Sequence, residues 1–147
     1  MQDIYFLTVE EIIIIHEIQI KDSGGKSGIL NMGLLESAAA TPQTSFAGYN
    51  IYNDIYQMAA ALMYHLVKNH PFYDANKRTA VVSTVVFLES NDIQLNLSDP
   101  QIYELTIDIA KSNSIDSEKV KENLAKILEI RSSQLISPKS RRRDIKL

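Results

Sequence analysis

The apolar positions of this chain recur mostly at helical spacing. Behind Thr8-Val9-Glu10-Glu11, which has the spacing of a capping box, an apolar and acidic stretch reads as a helix running to about Gln19. The β-branched run Ile12–Ile15 would also suit a strand. The cap before it and the stop Lys21-Asp22-Ser23-Gly24-Gly25 after it favour the helix. Asn31 can cap a short second helix through Leu34, Leu35 and Ala38. That helix stops at Thr41-Pro42, because Pro42 disfavours the helical region for Thr41. Residues 43–52 lack a helical period, alternate weakly and contain Gly48, which predicts an extended flap or short hairpin. Asn53 or Asp54 opens a third helix with the stripe Ala59, Leu62, Met63, Leu66 and Val67. It ends near Asn69-His70-Pro71, since Pro71 cannot continue it.

The next helix, about Ala75 to Ser90, is apolar on most sides through Val81, Val82, Val85, Val86, Phe87 and Leu88. A helix of that kind belongs in the middle of a bundle. Asn91-Asp92 ends it. Ser98 or Asp99 caps a fifth helix, with Pro100 at the favourable first position and Ile102, Leu105 and Ile109 inward. A sixth starts near Asp116 and carries Val120, Leu124, Ile127 and Leu128. The pattern predicts an all-α fold: one compact bundle of about six helices over residues 1–130, with a short flap.

Charge sets the end of the chain apart. Residues 131–147 hold six bases against one acid, whereas residues 1–130 hold nine bases against 17 acids. With its serines and Pro138, segment 131–147 reads as a basic, disordered, solvated tail. An acidic body is a poor partner for nucleic acid, so any such contact is expected only through the tail. Hydrophobic residues make up 45% of the 147, a globular proportion. There is no cysteine, which excludes disulfides and thiolate metal sites and fits a reducing cytoplasm. No pair among His16, His65 and His70 has the i, i+4 spacing of a zinc site, and His16 and His65 read as structural or exposed histidines. The start of the chain lacks the basic region of a signal peptide, and Ile12–Ile15 is far too short to span a bilayer, so no membrane association is expected.

One loop carries chemistry. Lys77 and Arg78 fall in the first turn of the apolar helix, where the helix dipole disfavours cations by about 0.3–1 kcal/mol each when exposed. That turn also offers unpaired backbone N–H groups, an anion site. Two added cations suggest a polyanion such as a nucleotide phosphate chain. Asp74 could hold Mg²⁺ on it, Asn76 could donate to its oxygens, and His70 has the chemistry of a general base. Taken singly, Asp74 is more often just a helix cap, Lys77 and Arg78 are more often a solvated turn, and His70 before Pro71 is an ordinary helix terminator.

The segment His70-Pro71-Phe72-Tyr73-Asp74-Ala75-Asn76-Lys77-Arg78 resembles the Fic motif, His-x-Phe-x-Asp/Glu-Ala/Gly-Asn-Gly/Lys-Arg, and matches it at every fixed position. Gly24-Gly25, Gly28, Gly33 to Ala38 and Pro42-Gln43 are similar to the N-terminal half of death-on-curing proteins, so the resemblance covers about residues 4–130. It implies a Fic-fold bundle and an ATP-dependent, protein-modifying enzyme. By the same resemblance, His70 takes the proton from a target hydroxyl, and Phe72 anchors the loop. Asp74 holds Mg²⁺, and Asn76, Lys77 and Arg78 bind phosphates. Lys68 stands where the Doc branch carries another base for a phosphate or an acidic partner. Ser45, Phe46, Ala47, Gly48 and Tyr49 belong to the flap that aligns the target segment.

Lys77 separates two chemistries. The AMP-transferring branch has glycine there. The Doc branch has lysine, binds ATP reversed and phosphorylates a translation factor such as elongation factor Tu. The resemblance therefore implies a toxin of a toxin–antitoxin module with kinase activity. AMP transfer is the alternative, and a non-catalytic binding module is the reading from another class. Some family members carry an inhibitory Ser/Thr-x-x-x-Glu-Gly/Asn helix. The nearest string here, Ser117 to Asn123, has one residue too many, so inhibition is expected from a separate cognate antitoxin.

Overall fold

Side-chain caps set most of the helix starts in the computed structural model, which describes residues 3–135. In α1, Val9–Ser23, the Thr8 hydroxyl accepts from Glu11 N and the Glu11 carboxylate accepts from Thr8 N, a complete capping box. Asn31 caps α2, Met32–Ala40, and a 3₁₀ turn over Thr41–Gln43 follows at Pro42. Asp54 caps α3, Ile55–Lys68. Ser98, with Gln101, makes a second capping box on α5, Asp99–Lys111. Between these last two lies α4, Asn76–Ser90, and α6 spans Ser117–Ile130.

Helix α3 is the centre. Nine of its fourteen residues are buried, and it packs against α2, α4, α5 and α6. Its alanines at 59, 60 and 61 are fully buried, so neighbouring backbones can come close. Among the described residues no helix is long and apolar enough to cross a membrane.

The stretch without a helical period forms a hairpin. β1, Ser45–Phe46, pairs antiparallel with β2, Tyr49–Asn50. Ala47 (φ +53°) and Gly48 (φ +84°) make a two-residue turn in which both residues take the left-handed conformation, as the right-handed twist of a tight hairpin requires.

A second small sheet was not legible in the sequence. β3, Ile93–Leu95, pairs with β4, Ser132–Gln134. Asn96 N donates to Arg131 O at 2.6 Å and Leu135 N to Asp92 O at 2.9 Å. The folded body therefore runs past residue 130, where the charge pattern places its end. The rest of the basic tail, residues 136–147, lies outside the described residues.

Candidate active site

The seven residues between α3 and α4 make a tight loop held from three sides. Its second and last residues, His70 (φ +49°) and Ala75 (φ +63°), are both left-handed. Such non-glycine conformations cost about 1–3 kcal/mol each and persist only where the surroundings over-determine them. The first restraint is a plug. Phe72 is fully buried and stacks on His16 of α1, with ring centroids 3.8 Å apart and planes 6° apart. His16 Nε2 lies 2.8 Å from the backbone oxygen of Asp74. A carbonyl only accepts, so Nε2 carries the proton.

The second restraint is Asn76, whose buried amide spans the loop. Its Oδ1 accepts from Phe72 N and its Nδ2 donates to Phe72 O, both at 2.9 Å. The third is the segment between α1 and α2. Pro71 O accepts from Leu30 N at 2.8 Å and from Asn31 N at 3.0 Å, and Asn69 Nδ2 donates to Leu34 O at 3.0 Å.

The loop opens onto a cavity of about 180 Å³ lined by His70, Tyr73, Asp74, Asn76, Lys77, Arg78 and, from α5, Tyr103. Its floor is the start of α4. Four of the six helices among the described residues begin with a side-chain cap, but α4 begins at Ala75 with none. The amides of its first turn are left for an external acceptor, which is the make-up of an anion site. Asp74 is thus not the helix cap that its position would suggest. Its Oδ2 instead accepts from Lys26 N at 2.5 Å.

Lys77 and Arg78 are half-buried at the cavity. The Arg78 guanidinium donates to Gln19 O at 3.4 Å and Gly24 O at 3.3 Å, carbonyls at the end of α1. Both bonds are longer than a good N–H···O bond, so moving the guanidinium onto a stronger acceptor costs little. Among the described residues no three His, Asp or Glu side chains form a metal cluster. A lone Asp74 carboxylate suits Mg²⁺, which typically keeps its waters and binds through one or two carboxylates plus substrate phosphates.

Two of the predicted side chains are engaged with other parts of the chain. Asn76 spends its Oδ1 and one Nδ2 N–H on the Phe72 backbone, which makes it first a brace of the loop. Lys68 turns to the end of α5, where Nζ donates to Ser112 O at 2.5 Å and Ala110 O at 3.4 Å. The carbonyls left over at a helix C-terminus draw the cation there. On the flap, Phe46 and Tyr49 are 77% and 78% exposed, and Ser45 is exposed beside them. His65 is half-buried against Tyr64. Burial, chiefly, and the charge of Lys121 hold its pKa below the usual value, so it is a packed neutral ring. Two residues of the site escaped the sequence reading, His16 in its loop-holding role and Tyr103 in the cavity wall. The sequence reads His16 as a structural or exposed histidine; it is 1% exposed. Nothing in the sequence marks Tyr103.

The Fic/DOC family model matches residues 6–88, which include the loop and the helices on either side of it. Over 104 residues the chain is 32% identical to the protein kinase doc of Escherichia phage P1, covering 71% of this chain and 81% of that protein. Over 72 residues it is 40% identical to the Toxin Doc of Mycolicibacterium smegmatis, covering 49% of this chain and 55% of that one, so this second match spans about half the relative's length.

Proposed function

Because this chain belongs to the Fic/DOC family, we propose that it is a Doc-like toxin that transfers the terminal phosphate of ATP to a hydroxyl of a bacterial protein. The observation that carries the reading is the uncapped first turn of α4 with Lys77 and Arg78 in it. A sequence tuned for stability would place acids there. An array of amides and two cations costs stability unless a polyanion occupies it.

In this reading the target oxygen attacks the terminal phosphorus, the bond to the β-phosphate oxygen breaks, and ADP leaves. His70 takes the hydroxyl proton. The α4 amides, Lys77 and a released Arg78 hold the phosphate charge, which is most of what phosphoryl transfer asks of a protein. Asp74 would hold Mg²⁺, which would neutralise the same charge. The exposed edge of the flap, Ser45 to Tyr49, aligns the target segment by strand pairing. The target is a translation factor such as elongation factor Tu, the compartment is the cytoplasm, and a cognate antitoxin restrains the enzyme.

Lys77 decides which phosphorus reacts. Its side chain fills space at the cavity that the AMP-transferring branch leaves open with glycine. The wild type should label its target from γ-labelled ATP and not from α-labelled ATP in a bacterial translation extract. Lys77→Gly should lose most γ labelling, by on the order of 10²-fold if the phosphate shifts by about 1 Å. Labelling of the wild type from the α position would sink the kinase assignment and favour AMP transfer.

A further inference from the structure

Packing alone does not call for an imidazole at position 16. The side chain shares the buried face of α1 with Ile12 and Ile15, and its ring lies flat on Phe72. A phenyl ring would stack there as well, without the cost of burying a polar group. What the histidine adds is the Nε2–H that meets Asp74 O at 2.8 Å.

Asp74 is tied through both its main chain and its side chain. Its carbonyl accepts from His16, and its Oδ2 accepts from Lys26 N in the segment after α1. Its Oδ1 has no hydrogen bond among the described residues, and Asp74 lines the cavity. One carboxylate oxygen is thus spent inside the protein and the other is left for a ligand. The direction of such a carboxylate depends on where its main chain stands as well as on its own torsions. The Lys26 amide restrains the torsions. The main chain needs its own restraint, because the peptide that follows Asp74 leads into left-handed Ala75 (φ +63°), a conformation that relaxes unless neighbours hold it. His16 grips the oxygen of that peptide.

We propose that His16 is a positioning residue for the metal ion: it does not touch the ion, but by holding Asp74 O it fixes the aim of the Asp74 carboxylate. This inference rests on the reading of Asp74 as the Mg²⁺ holder. Mg²⁺ demands near-ideal octahedral geometry, so a small turn of its carboxylate is felt. Losing a group that orients a metal ligand typically costs about 10–100-fold in metal affinity.

The test is how much Mn²⁺, an oxygen-binding octahedral stand-in for Mg²⁺, tightens ADP binding by the full chain. Calorimetry in Mn²⁺ and in EDTA gives the ratio of the two Kd values, which reads the coupling between metal and nucleotide. Wild type should show the tightening and Asp74→Asn should lose it. His16→Phe keeps the stacked ring without the donor, and its tightening should fall by about tenfold while the Kd in EDTA stays that of wild type. His16→Gln, whose amide N–H can stand where Nε2 stands, should recover most of the difference. Melting temperatures show that each variant is folded. If His16→Phe does not fold, His16→Asn takes its place, since its amide is too short to reach Asp74 O. Full tightening in the donor-deleted variant would overturn the proposal. So would an equal loss in Mn²⁺ and EDTA, which would leave His16 a purely structural role, or a His16→Gln no better than His16→Phe. If Mn²⁺ does not tighten ADP binding by wild type, or still tightens it in Asp74→Asn, the parent reading of Asp74 fails and the proposal falls with it.

Discussion

Replacing His70 by alanine should slow phosphate transfer by roughly 10²–10⁴-fold, the usual worth of a positioned general base, while ATP affinity and melting temperature stay those of the wild type. The imidazole is exposed, and no hydrogen bond of its side chain is found among the described residues, so its removal leaves no packing defect. Its left-handed backbone is held by neighbours, because Asn69 and Pro71 are each bonded to the 30–34 segment. Single-turnover transfer from γ-labelled ATP reads the effect directly. Expression in bacteria gives a second readout, since wild type should arrest growth and His70→Ala should not. A variant as fast as wild type, or equal harmlessness of both proteins, would remove His70 from the chemistry.

Asn76→Ala should be the most damaging single change to the loop. It leaves Phe72 N and Phe72 O buried without partners, at about 1–3 kcal/mol for each group. The melting temperature should drop by several degrees, since each kcal/mol is worth roughly 2–8 °C in a domain of this size. Activity should fall further than stability alone explains, because the amides of α4 lose their fixed position. Asn76→Asp is the informative companion: it still accepts from Phe72 N but turns a second oxygen toward Phe72 O, so it should recover only part of the loss. If Asn76→Ala melted with wild type yet lost ATP affinity, the amide would be a phosphate ligand after all.

Asn76 and Lys68 show what the sequence could reveal. Spacing places Asn76 and Lys68 beside the site, but it does not say where a side chain points. That is decided by unsatisfied groups nearby: the Phe72 backbone for Asn76 and the end of α5 for Lys68. Helix starts were readable because Thr8, Asn31, Asp54 and Ser98 act locally, through groups three residues away. The hairpin at 45–50 was readable from the loss of helical period around Gly48. β3 and β4 were not, because three-residue strands show too little alternation and Ser132–Gln134 is polar throughout, while strand pairing uses only the backbone. His16 meets Asp74 across 58 residues of chain, and only the assembled bundle brings them together.

The tie on Asp74 has a consequence for how this family of sites can vary. Its carboxylate is oriented by the backbone amide of Lys26 rather than by a side chain. Position 26 can therefore take any residue but proline, which has no N–H, without losing this bond. Gly25 cannot: its φ is +117°, and a Cβ there would stand 3.3 Å from both Asp74 Cβ and Ile20 Cδ1. Chain length in this stretch is constrained as well. One residue inserted or deleted between Gly24 and Gly28 would move the amide by about 3.8 Å, one Cα step, and break the bond outright. The loop between α1 and α2 looks like a tolerant connector, yet it is a spacer of fixed length, and its count of residues matters more to the site than most of their identities.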